Sequence, residues 1–259
     1  MSVPAVGALP PRVRERAPLP ANATLGACQP LTNDIRLLRV RRDGGPIPFM
    51  PGQYITLGLW RDGAWLQRPY SPARTSADGE VELLVRRVHG GQMTPLLWTM
   101  PAGTRVRLGP ARGLFRLAPD DRRTHLFLAT GTGIAPLLAM AADLVALSDP
   151  PPIVMLHGVR HASDLAYRAQ IAAWATDAPQ LTYLPAVSRP EPGRLEPGLL
   201  PGRALDILPS IWPRLRIGPA SVVAYLCGNP SVVNGAAEWL ANRGLVENAI
   251  RREEYWPAT

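Results

Sequence analysis

The sequence predicts two units in series, an antiparallel β-barrel followed by an α/β doubly wound parallel sheet. Three observations predict this. Short strand-like runs separated by turn residues continue to about residue 118. After Pro119 the runs become strands alternating with helices, which is the order of a parallel sheet. A glycine loop, Thr130-Gly131-Thr132-Gly133-Ile134-Ala135-Pro136, falls between the first strand and the first helix of that second unit.

In the first unit, from about 21 to 119, the expected strands are Ile35–Val40, Tyr54–Trp60, Val81–Val88, Arg105–Leu108 and Leu114–Leu117. Between them lie the breakers Asp43-Gly44-Gly45-Pro46, Pro51-Gly52, Asp62-Gly63, Asp78-Gly79 and Pro101-Ala102-Gly103. Many short strands at this spacing suggest a sandwich or a barrel. In the second unit, 120–259, strands are expected at His125–Ala129, Ile153–Leu156, Leu181–Val187 and Val222–Cys227. Helices are expected at Pro136–Leu147, from about Asp164 to Ala175, and from about Ser231 to Arg243. Ligands of such sheets sit beyond the carboxyl ends of the strands, so the segments 130–136, 157–160, 188–189 and 228–229 should share one rim. Residues 1–20 are polar and Pro-rich and are expected to form a flexible tail.

Composition bounds the function. The chain has 259 residues, 46% hydrophobic and 19% charged, with a formal charge of +8. All 28 basic residues are Arg, so a single Arg carries little information, while the net charge favours acidic partners and anionic ligands. Zinc spacings, a basic helix and an aromatic-rich basic sheet motif are lacking, which argues against nucleic-acid binding. Two Cys, at 28 and 227, cannot hold a Cys₄ iron–sulfur cluster, and no metal site is expected. Leu126–Ala142 is the most apolar stretch; its Gly131, Gly133 and Pro136 make it strand, loop and helix rather than a membrane span. With no apolar leader at the start, a cytoplasmic location is expected.

The Gly-Thr-Gly loop brings bare backbone N–H groups and a helix N-terminus towards an anion, and Pro136 suits the first helical turn. Such loops also occur as plain tight turns; the strand before and the helix after favour phosphate. The second strand ends in His157-Gly158-Val159-Arg160, with no carboxylate for a ribose hydroxyl. Arg160, Arg189 and Arg203 fall on the expected rim, where guanidinium groups suit the 2′-phosphate of NADP rather than NAD. Surface Arg in an Arg-only protein is the plainer account of any one of them. Gly228, in Cys227-Gly228-Asn229-Pro230, lets a flat ring approach the backbone. Cys227 lacks an obvious base and is not a nucleophile; packing beside such a ring is the role left to it. In the first unit, Arg68-Pro69-Tyr70-Ser71 offers a pyrophosphate clamp, a stacking ring and a hydroxyl. Gly90-Gly91-Gln92-Met93-Thr94-Pro95 offers backbone donors at a helix start, or simply a glycine turn.

In this order the motifs resemble the ferredoxin–NADP reductase superfamily, most closely the bacterial ferredoxin/flavodoxin–NADP reductases. Local matches at Phe49-Met50-Pro51-Gly52-Gln53-Tyr54, Arg160-His161-Ala162-Ser163-Asp164-Leu165, Val187-Ser188-Arg189, Pro201-Gly202-Arg203 and Glu253-Glu254-Tyr255-Trp256 extend the resemblance over residues 21 to 256. It implies an enzyme with bound FAD that exchanges electrons between NADP(H) and an acidic ferredoxin or flavodoxin, as a monomer free of membrane and nucleic acid. It implies that Arg68 binds the FAD pyrophosphate, that Pro69 and Tyr70 pack at the flavin, and that Ser71 hydrogen-bonds near its N5. Gly91, Gln92, Met93 and Thr94 would cradle the FAD pyrophosphate. Thr130, Gly131, Thr132 and Gly133 would lie under the NADP pyrophosphate. Arg160, Ser188, Arg189 and Arg203 would surround the 2′-phosphate, and Cys227 and Gly228 would adjoin the nicotinamide. Glu254 would influence flavin protonation, and Tyr255 and Trp256 would stack on FAD. The tail Pro257-Ala258-Thr259 departs from relatives that stop at the aromatic pair. The alternatives are a reductase component of an oxygenase system, a free-flavin reductase, and a non-catalytic flavoprotein electron-transfer subunit.

Overall fold

A computed structural model describes residues 19–118, 120–215 and 218–255. The first half holds strands β1 (Ala23–Pro30), β2 (Ile35–Arg42), β3 (Ile55–Arg61), β4 (Ala64–Tyr70), β5 (Pro72–Thr75), β6 (Val81–Arg86) and β7 (Arg105–Leu108), with helix α1 (Thr94–Thr99) before β7. They form one seven-stranded antiparallel sheet in the order β4-β3-β7-β1-β2-β6-β5. The sheet curls, because Leu25, Leu38, Leu57, Leu83 and Val106, from strands across its width, share one buried core. Its end strands β4 and β5 are not hydrogen-bonded to each other, so the predicted barrel is a half-barrel.

The second half runs β8 (Thr124–Thr130), α2 (Ile134–Val145), β9 (Ile153–Val159), α3 (Arg168–Asp177), β10 (Leu181–Val187), β11 (Leu200–Pro201), α4 (Ala204–Ile211), β12 (Val222–Gly228), α5 (Pro230–Asn242) and β13 (Ile250–Glu254). The sheet order is β11-β10-β9-β8-β12-β13, all parallel. Strands β9 and β12 are buried along their whole length, as continuous apolar runs covered on both faces must be. The chain proceeds from β8 to β9 on one side and reaches β12 on the other. The crevice between the carboxyl ends of β8 and β12 is therefore the switch point of the sheet, where ligands of this architecture bind.

The halves share a core. Ile35, Ala73, Leu84 and Phe115 of the first pack with Phe127, Ile134, Leu138 and Met140 of the second. Polar links cross the same seam. Tyr167 Oη donates to Glu82 Oε2 at 3.4 Å, and Arg86 Nη2 lies 3.8 Å from Asp164 Oδ2. Glu82 is fully buried; burial pushes its carboxyl up, but hydrogen bonds from Arg74 at 2.6 Å and Arg39 at 3.0 Å outweigh that and hold it below the usual range.

Three expectations are corrected. Residues 114–117 are not a strand: only Arg112 bridges to Tyr54, Leu114 turns out to solvent and Phe115 turns into the core. The expected helix from Asp164 is split. A short 3-10 turn, Ala162–Asp164, is followed by Tyr167 in a left-handed conformation (φ 60°), and α3 begins only at Arg168. Strands β1, β5, β11 and β13 and helix α4 had no counterpart in the sequence reading. Among the described residues, no helix is long and apolar enough to cross a membrane.

Candidate functional site

The switch-point crevice opens into a cavity of about 1210 Å³ between the two halves. A single small-molecule site occupies roughly 300–1,000 Å³, so this one has room for more than one ligand. The first half contributes Arg68, Pro69, Tyr70 and Ser71 from the end of β4, and Gly91, Gln92, Met93 and Thr94 from the turn into α1. The second contributes Thr130, Gly131 and Thr132 after β8, Arg160 after β9, Ser188 and Arg189 after β10, Arg203 before α4, Gly228 after β12, and Glu254 and Tyr255 at the end of β13. Residues scattered over nearly 190 positions thus meet, because the parallel strands deliver their carboxyl ends to one rim and the shared core sets the turns of the first half against it.

Two close backbone approaches shape the crevice. A Cβ at Gly133 would collide with the Cys227 carbonyl, so helix α2 can start hard against β12 only with glycine there. Gly228 has φ +129°, and a Cβ there would stand 2.7 Å from the Thr130 carbonyl oxygen. The Asn229 N–H donates to Thr130 Oγ1 at 2.7 Å, closing the two loops on each other. Beneath them His157, fully buried, donates from Nε2 to the Gly131 carbonyl at 3.1 Å. Burial lowers its pKa to about 4, against the opposing pull of that hydrogen bond, so the ring is neutral. A carbonyl only accepts, so Nε2 carries the hydrogen and Nδ1 faces the Tyr183 hydroxyl at 3.4 Å.

On the other wall Ser71 Oγ donates to Glu253 Oε1 at 2.9 Å. Burial pushes the Glu253 carboxyl up, partly offset by that hydrogen bond. Burial also drives the Tyr255 hydroxyl well up, and the neighbouring Cys227 and Glu253 add to this. The Tyr255 N–H donates to the Gly228 carbonyl at 2.8 Å. Tyr70 is held by burial at about 12, the nearby Arg68 opposing. Thr94 Oγ1 accepts from the Val88 N–H at 2.8 Å and so closes the glycine turn on itself. What that turn offers a ligand is the backbone at 92–94, because the Gly91 N–H already donates to the Val88 carbonyl at 3.0 Å and Met93 buries its side chain in the core. Arg160, Arg189 and Arg203 are exposed, and among the described residues none forms an ion pair with a carboxylate.

Most of the residues named from sequence therefore line one cavity. Three do not stand as expected. Cys227 lies wholly within the core beside Ala129 and Ile134; strand alternation turns it below the cavity floor, and burial drives its thiol well up. Gly133 sits against Cys227 rather than on the cavity surface. The carboxylate bonded to Ser71 is Glu253, whereas the sequence put forward Glu254, which lines the cavity one residue further on. Trp256 lies outside the described residues, as do Pro257-Ala258-Thr259 and nearly all of the tail assigned to 1–20. Sequence reasoning missed Arg86, which lines the cavity with its guanidinium beside Gly131. Its signal was present: Val81, Leu83 and Val85 alternate inward, which turns Arg86 to the opposite face at the end of β6.

The arrangement suits two nucleotides. Each half carries a glycine turn that opens a helix, the second wall adds cations without carboxylate partners among the described residues, and the seam holds a hydroxyl–carboxylate pair where two flat rings would meet. Comparison with known proteins agrees. Residues 22–116 match the oxidoreductase FAD-binding domain model, and residues 127–253 match the oxidoreductase NAD-binding domain model. The reductase component of the Pseudomonas putida naphthalene 1,2-dioxygenase system, a ferredoxin–NAD(P)(+) reductase, is 31% identical over 235 residues, covering 90% of this chain and 68% of that one. Ferredoxin–NADP reductase B of Sorangium cellulosum is 33% identical over 176 residues, covering 67% and 72%. The crystal structure of the Amycolatopsis cytochrome P450 reductase GcoB superposes with a TM-score of 0.81 at 30% identity, covering 92% of this chain and 70% of that one.

Proposed function

Because this chain belongs to the ferredoxin–NADP reductase family of FAD- and NAD(P)-binding oxidoreductases, we propose that it is a ferredoxin/flavodoxin–NADP(+) reductase. Its overall reaction is NADPH plus two oxidised carriers giving NADP⁺, a proton and two carriers each reduced by one electron. Bound FAD would supply the conversion between two-electron exchange with the nicotinamide and one-electron exchange with the carrier.

The chain's own groups bind and orient. Arg68 and the backbone at 92–94 would hold the FAD pyrophosphate, and Tyr70 and Tyr255 would pack against its rings. Ser71, its hydroxyl hydrogen held by Glu253, would present its oxygen lone pairs toward the flavin, and the Glu253 carboxyl, pushed up by burial, is the group able to hold a proton there. Thr130, Gly131 and Thr132, with Arg86, take the NADP pyrophosphate at the start of α2. Arg160, Arg189 and Arg203, beside Ser188, take the 2′-phosphate; their lack of carboxylate partners is what supports NADPH over NADH. The observation that carries the reading is the single cavity in which both glycine turns, the Ser71–Glu253 pair and the three unpaired Arg meet.

Anaerobic addition of NADPH to the purified yellow protein should bleach the flavin absorbance, and the released flavin should be FAD. An unchanged spectrum would overturn the proposal, and NADH bleaching as fast as NADPH would remove the part that concerns the three Arg. The second reading, a reductase component of an oxygenase system, is favoured by the Pseudomonas putida relative, a component of a dioxygenase system. It assigns the same chemistry to a different recipient. Electron delivery from NADPH through this chain to an oxygenase, with no separate ferredoxin or flavodoxin added, would favour the second reading, and delivery only when such a carrier is added would favour the first.

A further inference from the structure

We infer that the surface around Met50 and Leu114, flanked by Arg112 and Arg116, is where an acidic one-electron carrier protein docks. The inference rests on the function proposed above. Leu114 is 85% exposed, the most exposed large apolar side chain among the described residues, and Met50 is 47% exposed. Arg116 Nη1 reaches Met50 Sδ at 3.6 Å, so the two segments that carry this surface lie side by side. Arg251 donates from Nη1 to the Arg116 carbonyl at 3.0 Å and adds a further cation beneath. Among the described residues, neither Arg112 nor Arg116 forms an ion pair with a carboxylate. An apolar centre rimmed by unpaired cations is complementary to a partner with an apolar contact ringed by carboxylates.

Position selects this surface over the other exposed apolar groups. The backbones of Tyr54 and Arg112 exchange two hydrogen bonds, each 2.8 Å, and Tyr54 lines the cavity alongside Tyr70. The patch is thus the outer side of the wall whose inner side faces the flavin position. Trp60, also exposed, lies six residues further along β3, roughly 20 Å away at strand rise, and its neighbour Arg61 is already paired with Asp62 at 3.1 Å. Leu147, Leu195 and Val246 are exposed on the second half, which holds the two-electron donor.

The test measures binding directly. Calorimetric titration of the FAD-loaded protein with an acidic [2Fe–2S] ferredoxin, and separately with a flavodoxin, is run at low and at high salt. Wild type should bind at least one of these probes, more weakly as salt rises. Leu114→Glu and Arg116→Glu should each weaken binding by about tenfold or more, while Trp60→Glu leaves it unchanged. NADPH-dependent ferricyanide reduction should stay at the wild-type level in all three variants, showing that the fold and the hydride half are intact. Unchanged binding in Leu114→Glu and Arg116→Glu, a loss in Trp60→Glu, or no binding of either probe by wild type overturns the docking site alone. Absence of ferricyanide reduction by wild type overturns the functional reading beneath it.

Discussion

On the wall of the cavity nearest the antiparallel sheet, polar groups are already engaged with one another. Ser71 is bonded to Glu253, Thr94 to the Val88 backbone, and behind them Glu82 to two Arg. On the opposite rim Arg160, Arg189 and Arg203 stand in solvent, without carboxylate partners among the described residues. The difference teaches what each wall is for. Groups ordered before a ligand arrives lose little further freedom on binding, which suits a cofactor that stays. Cations with no internal partner keep their attraction for a phosphate that must come and go, and exposure keeps the interaction exchangeable.

Under the exposed rim lies a rigid base, and breaking it should have the largest effect. Gly228→Ala places a Cβ against Thr130 in a backbone conformation that L side chains rarely adopt. We expect a loss of about 3 kcal/mol or more in urea denaturation and loss of flavin bleaching by NADPH. Gly193→Ala, also at positive φ but with nothing within 4 Å, should cost only about 1 kcal/mol and leave bleaching intact. Equal effects at both positions would mean that the crevice between β8 and β12 is not the constrained element.

The same base should show itself in pH. His157 is neutral when folded, with a pKa near 4, whereas an unfolded chain takes up the proton near 6.5. Stability is therefore full above about pH 6.5 and falls as pH drops towards 4, by up to about 3 kcal/mol. The depressed carboxylates Glu82 and Asp121 contribute in the same direction, but only below the ordinary carboxylate range. Denaturation curves for His157→Gln should lose most of the slope between pH 6.5 and 4, retaining the part due to His125, which burial also lowers.

The two walls were unequally legible in the sequence. The second half announces itself, because buried parallel strands are unbroken apolar runs and the loops after them fall at countable places. The rim positions of Arg160 and Arg189 follow from that alone, whereas Arg203 follows β11, a two-residue strand with no buried run to announce it. The first half is harder. Its edge strand β4 mixes Trp, Gln, Arg and Pro with half-exposed positions, so no clean alternation marks it. Leu114–Leu117 reads as a strand by composition, yet Leu114 points to water, and nothing local distinguishes an exposed leucine from a buried one. The Glu253–Glu254 ambiguity is a matter of strand phase. The register pairs Cys227 with Glu253 and Gly228 with Glu254, which sequence could resolve only with β13 already placed. For Arg86 the alternation of β6 gave its facing, but not the neighbour Gly131 of the other half that makes it matter.

Next in size are the rim cations. Arg189→Ala should weaken NADPH by about 2 kcal/mol, some thirtyfold in kcat/KM, and leave NADH nearly unchanged. High salt should erode the wild-type preference in the same sense. A uniform loss with both nucleotides would place Arg189 on the shared part of the dinucleotide instead.

The smallest expected effect bears on the ordered wall. Ser71→Ala removes one hydrogen bond at the place where the rings meet, so the hydride step observed by stopped flow should slow by about tenfold, about 1.4 kcal/mol, with NADPH affinity kept. Glu253→Gln preserves the shape and an acceptor for the Ser71 hydroxyl while removing the titration, so its effect on rate at neutral pH should be only about threefold. What should change is the pH profile. Burial raises the Glu253 carboxyl, so in wild type it loses its proton above the ordinary carboxylate range, and any dependence of the rate on that proton declines as pH rises through it. Glu253→Gln should flatten that limb, and Glu254→Gln should leave it in place. If the limb instead disappears with Glu254→Gln, Glu253 is not the group behind it, and the Ser71–Glu253 hydrogen bond serves structure alone.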